Sequence, residues 1–124
     1  MKLAELTEMM IEEPNEAEAA IDELVASSEV EQLTEIARQA PVHEFRLRAI
    51  EGLADVGGPE ATAALIEMAE QANRGLVIGG TEQQREQELK KDRLVVAVAR
   101  VRGVPPPAGR SQPEIAEFIE SVRY

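Results

Sequence analysis

Three apolar residues, Ala20, Ile21 and Leu24, return in the same order and spacing as Ala49, Ile50 and Leu53, each 29 positions further on. After a three-residue adjustment at the intervening turn, Leu33, Ile36 and Ala37 return as Leu65, Met68 and Ala69. A fainter third copy follows: AVARVRG at 97–103 is similar to GLADVGG at 52–58, and PEIAEFIE from Pro113 is similar to PEATAALIE from Pro59. A period of about 30 residues with two helices per unit is the signature of an α-solenoid, in which one unit cannot bury its apolar face alone and covers it by stacking on the next. The repeat therefore predicts an all-α fold, an α-α superhelix of about three helix pairs plus a C-terminal helix. It forms a single domain over 1–124, with a loop insertion at 73–82 and a Pro-rich connector at 103–112.

The helices read out from their apolar stripes. Leu3, Leu6 and Met10 share one face of a helix over 3–12, which Pro14 ends, with Asn15 as the cap of the next. Over 15–27, Ala17, Ala20, Ile21, Leu24 and Val25 fall at the spacing of an amphipathic helix. Ser28 is placed to cap a third helix, 29–40, whose stripe is Val30, Leu33, Ile36, Ala37 and Ala40. A fourth helix over 42–56 turns Leu47, Ile50, Leu53 and Ala54 inward, and Gly57-Gly58 stop it. Pro59 opens a fifth, 59–72, and Asn73-Arg74-Gly75 closes it. GLVIGGT at 75–81 reads as a loop. The run LVVAVARV at 94–101 is β-branched enough for a strand, but EQQREQELKKDR precedes it without a breaker, so one helix from Thr81 to about 102 is expected. VPPPAG at 104–109 is an extended spacer, and Ser111 and Pro113 open a last helix with Ile115, Phe118, Ile119 and Val122 inward.

Composition narrows the function. The absence of cysteine removes disulfides, thiolate metal sites and cysteine nucleophiles. With 2 Phe, 1 Tyr and no Trp there is little to stack on nucleobases, and a net charge of −11 opposes binding to phosphates. The charge is uneven: residues 1–40 hold 11 carboxylates against Lys2 and Arg38, whereas 41–124 hold 13 against 11 basic side chains. Such an acidic N-terminal third has two readings, a face that keeps the chain soluble or one that attracts a basic partner. No apolar run reaches the roughly 18 residues a membrane span requires. The N-terminal MKLAELTEMMIEE is acidic where a secretory signal is basic and then apolar. A cytoplasmic protein with no nucleic-acid or membrane partner is expected.

The segment HEFRLRAIEGLADVGGPEATAALIEM resembles HEAT repeats, in particular the short bacterial HEAT-like repeats of the phycobilisome-lyase type. Their second helix reads roughly V-R-x-x-A-x-x-A-L-G; here it begins near Val42, and Arg46, Ala49, Gly52 and Leu53 match. The resemblance is good over about 40–70 and fair over 17–40. Ala40-Pro41 stand where the family carries an aspartate, and residues 73–85 interrupt the third unit. The resemblance implies a short HEAT-like solenoid whose partners bind the surface lined by second helices, here 15–27, 42–56 and 83–102. Helical spacing puts Glu44, Arg48, Glu51 and Asp55 on the outward face of 42–56. The adjacent rows supply Glu18 and Asp22 on one side and Arg93 and Arg100 on the other. Arg46 is expected to bridge internally rather than to meet a partner.

No constellation for catalysis is present. His43 is the only histidine, sits at a helix start as a cap or surface residue, and lacks a HExxH context. The carboxylates fall on the polar sides of the stripes, without the separated environments that acid–base pairs need. GLVIGGT has neither the lysine of a phosphate loop nor GxGxxG spacing. The sequence thus points to a non-catalytic scaffold, adaptor or assembly factor, without metal or cofactor, that binds another protein. The apolar face of 94–101 adds the expectation of a homodimer through the C-terminal helices. The same family resemblance implies an alternative: a lyase-like or enzyme-accessory protein holding a pigment or cofactor in a pocket under 75–81.

Overall fold

The structure, a computed structural model, describes residues 3–75 and 80–123. Among them are seven helices and no strand, so the chain is all-helical. It divides into two compact units, Met1–Gly57 and Gly58–Tyr124.

The first unit holds α1 (Leu3–Glu12), α2 (Pro14–Ala26), α3 (Val30–Gln39) and α4 (His43–Val56). Sequence neighbours pair, α1 with α2 and α3 with α4, and the two hairpins meet chiefly through α2 against α4, with α3 also touching α2 and, less extensively, α1. The stripes explain this. Ile21 on α2 and Ile50 on α4 each have 0% exposure, as do Leu33 on α3 and Leu53 on α4, so the repeated apolar positions all lie in the core. Gly52 sets how closely α4 approaches: a Cβ at this position would lie 2.6 Å from Val25 Cγ2 and 3.6 Å from Leu33 Cδ2. The first distance is too short for a real contact and the second is an ordinary one, so it is the approach of α2 to α4 that the absence of a side chain permits.

The second unit holds α5 (Gly58–Arg74), α6 (Thr81–Arg102) and α7 (Gln112–Val122), with α5 packed on both others and α6 also meeting α7. The β-branched run 94–101 is helical throughout. Leu94, Val95, Ala97, Val98 and Ala99 are buried, and among its valines Val96 stays 40% exposed. An unbroken helical lead-in and neighbours on two flanks outweigh strand propensity here. Ile115, Phe118, Ile119 and Val122 of α7 are buried, as their spacing predicts.

Several boundaries differ from expectation. Asn15 lies inside α2, whose N-cap position is held by Glu13 without a side-chain capping bond to the helix N–H groups. Ser28 is not the cap of α3 either. It takes a left-handed conformation, φ 56°, and its N–H reaches the Val25 carbonyl, so it terminates α2, while Glu29 precedes α3. Gly57 and Gly58, at φ 64° and 79°, separate α4 from α5 as the sequence suggests, but α5 begins at Gly58 and continues to Arg74. At α7 the cap is the one expected. Ser111 Oγ accepts from the Glu114 N–H at 3.3 Å and donates to Glu114 Oε1 at 2.7 Å, a close variant of the capping box. The GLVIGGT loop falls largely on 76–79, outside the described residues.

Candidate interaction surface

Within the first unit, the outward rows of α2 and α4 come together as the spacing requires. Arg48 Nη2 lies 2.9 Å from both carboxylate oxygens of Asp22, and Arg48 Nη1 lies 3.5 Å from Glu18 Oε1. One guanidinium therefore straps two successive turns of α2 to the middle of α4. The three side chains keep 37–61% of their surface. A pair so exposed contributes about 0–1 kcal/mol to stability, so its consequence is the position of the charges. Glu44, Glu51 and Asp55 are exposed on the same face of α4. With Arg48 engaged by two carboxylates, this face is strongly acidic and attracts cations.

Arg46 makes the internal bridge predicted for it: Nη1 donates to the carbonyl of Ala40, the residue that ends α3. His43 neither caps α4 nor stands on the surface. It is half-buried, Val42 holds the cap position, and both ring nitrogens are buried without a hydrogen-bond partner among the described residues. Upstream, Glu13 and Glu16 are neighbours at the start of α2. The hydrogen bond to Glu16 and its like charge push the Glu13 carboxyl above its ordinary value.

In the second unit, Arg93 and Arg100 are exposed on α6, seven residues apart. Three polar ties that the sequence did not disclose hold this unit. Asn73 Nδ2 donates to the Gln112 carbonyl at 3.0 Å while Gln112 Nε2 donates to the Asn73 carbonyl at 2.9 Å, locking the end of α5 to the start of α7. Arg110 pairs with Asp92 at 2.8 Å and donates to the Pro107 carbonyl, which fixes the Pro-rich connector against α6. Glu70 takes Arg74 at 2.9 Å and also Arg123. The Asn73–Gln112, Arg110–Asp92 and Glu70–Arg123 contacts could not be found by period or motif, since each joins polar residues of separate segments. Glu70–Arg74, i and i+4 on α5, and Ser111–Glu114 have spacings that announce their contacts.

Concavities occur among the described residues of each unit. One, of about 620 Å³ in the second unit, is lined by Thr62, Ile66, Glu67, Val101, Arg102 and Arg123 among others. Another, of about 330 Å³ in the first unit, lies among α1, α2 and α3. The pocket expected under 75–81 coincides with 76–79 and falls outside the described residues. Among the described residues no three or more His, Asp or Glu side chains gather as metal ligands. No helix there is long and apolar enough to cross a membrane. A scan against protein-family models, a search of curated proteins and a search of solved structures each returned no match.

Proposed function

We propose that this chain is a non-catalytic scaffold, a short HEAT-like α-α superhelix that binds another protein on the surface lined by its second helices. The observation that carries the reading is the first unit, where two helix hairpins pack chiefly through α2 against α4 and present one ordered row of charge. Glu18, Asp22, Glu44, Arg48, Glu51 and Asp55 form that row, and Arg93 and Arg100 are its counterpart on α6. Stacked helices hold the row stiffly, so a partner meets preorganised charges and loses less entropy on docking. The acidic excess selects a partner with a basic face and speeds its encounter. A cytoplasmic setting suits such a chain, which carries no cysteine to oxidise.

The test is retention of a defined partner from the native cell by the full chain. The triple reversal Glu44→Lys, Glu51→Lys, Asp55→Lys should release the partner without changing helical content. The reversal Glu60→Lys, Glu117→Lys, on exposed positions of the second unit, should retain it. Retention by the triple variant, or a chain that captures no protein reproducibly, removes the proposal.

A further inference from the structure

The concavity among α1, α2 and α3 lies away from the Arg48 row. On α2, Glu18 and Asp22 point to one side, whereas Ala20, Glu23, Leu24 and the terminal Ser27 line the groove on the other, opposed by Leu6 of α1 and by Glu29 and Gln32. The repeat shows what is unusual about it. Ala20 and Leu24 correspond to Ala49 and Leu53, which are both 0% exposed, yet Ala20 and Leu24 themselves remain half-exposed. The first copy thus leaves open two apolar positions that the second copy closes.

The rim of the groove is negative on three counts. Glu23 and Glu29 make no ion pair among the described residues. Glu29 precedes α3, but its carboxylate makes no capping hydrogen bond, so it is not drawn into the helix end. The C-terminus of α2 lies here through Ser27, and its last turn carries no basic residue to offset the negative end of the helix dipole. Around this rim the unit carries 14 carboxylates against 4 Lys and Arg. A space of about 330 Å³ is at the lower limit of small-ligand pockets and takes one or two long side chains.

We propose that this groove docks a basic amphipathic segment of a partner protein. The aliphatic stem of an arginine lies along Ala20 and Leu24 and its guanidinium sits between Glu23 and Glu29. Arginine suits both halves, because its stem is apolar and its head is a planar, weakly hydrated cation that pairs with carboxylates. The inference rests on the scaffold reading and adds to it a second contact surface and the chemistry of the partner.

The probe is a fluorescein-labelled amphipathic helix of arginine and leucine, titrated by anisotropy against the full chain. Glu23→Lys with Glu29→Lys should weaken binding at least about tenfold. Both sites are exposed, and a lysine at position 23 suits the end of α2, so the fold is retained. Glu60→Lys with Glu117→Lys changes net charge equally and should shift affinity by less than about twofold. A scrambled peptide with the same arginines but no apolar stripe should bind more weakly, and Leu24→Asn should remove that difference. Equal losses from the two double reversals would show attraction to net charge alone and overturn the groove. Loss on Glu44→Lys, Glu51→Lys, Asp55→Lys but not on Glu23→Lys, Glu29→Lys would also overturn it while leaving the Arg48 row as the binding surface. Absence of peptide binding overturns the groove as well, and partner retention then judges the scaffold reading separately.

Discussion

Gly52 tests the packing of the first unit because two effects of opposite sign meet there. In a helix interior, alanine is favoured over glycine by about 1 kcal/mol. The added Cβ would lie 2.6 Å from Val25 Cγ2, and a β-branched residue in a helix strongly prefers one χ1 rotamer, so overpacking of about 1–3 kcal/mol should prevail. Gly52→Ala is therefore expected to lower the urea midpoint. Adding Val25→Ala should return part of the loss through a favourable coupling in a double-mutant cycle. A stabilised single variant would mean that α2 and α4 do not approach closely. At this scale the sequence was legible wherever burial follows period: Ile21 and Ile50 share a depth because they share a register. It was illegible where one backbone angle decides. Ser28 has the composition of a helix cap, and only its left-handed conformation makes it the end of α2 instead. Asn73 and Gln112 carry no sign in either segment that their amides will meet across 39 residues.

The helices fare differently according to what specifies them. Those with a clean stripe and a breaker at each end, such as α4, appear within a residue or two of their expected bounds, because burial and termination agree. α6 was readable for another reason: nothing in its first half stops a helix, and the β-branched second half inherits that backbone while α5 and α7 cover it. α7 is short, 11 residues, so its end interactions are a large share of its stability. Ser111→Ala removes the side chain that accepts the Glu114 N–H and should cost about 0.5–2 kcal/mol. The loss should be read as faster hydrogen exchange in the first turn of α7, with α1–α4 unchanged. Ser111→Asp should recover most of it, since aspartate also caps and favours the positive helix end. If Ser111→Ala leaves exchange in α7 unaltered, the hydrogen bond is not the element's anchor and the Asn73–Gln112 exchange carries that role.

Over the whole molecule the charge is divided more sharply than the fold. Met1–Gly57 carries a net of −10, whereas Gly58–Tyr124, with 10 carboxylates against 9 basic side chains, carries −1. Self-repulsion therefore burdens one unit and hardly the other. Raising ionic strength from low salt to about 0.5 M shortens the screening length well below 10 Å. It should slow hydrogen exchange in α1–α4 while leaving α5–α7 nearly unchanged. Proton binding offers an independent check on the same repulsion. Glu13 has a raised folded-state value because its protonated carboxyl bonds to Glu16 beside a like charge, whereas an ordinary glutamate sits near 4.5. A group raised on folding contributes stability that is complete below the unfolded value and fades as pH rises through the folded one. The first unit should thus lose that contribution on going upward from about 4.5. Glu16→Gln, which removes the like charge, should flatten this part of the profile of urea midpoint against pH, whereas Glu117→Gln in the second unit should leave it as it is. A profile that Glu16→Gln does not change would mean that the two carboxylates at the start of α2 stay apart in solution. The acidic crowding of the first unit would then be borne by its more distant charges rather than by this pair.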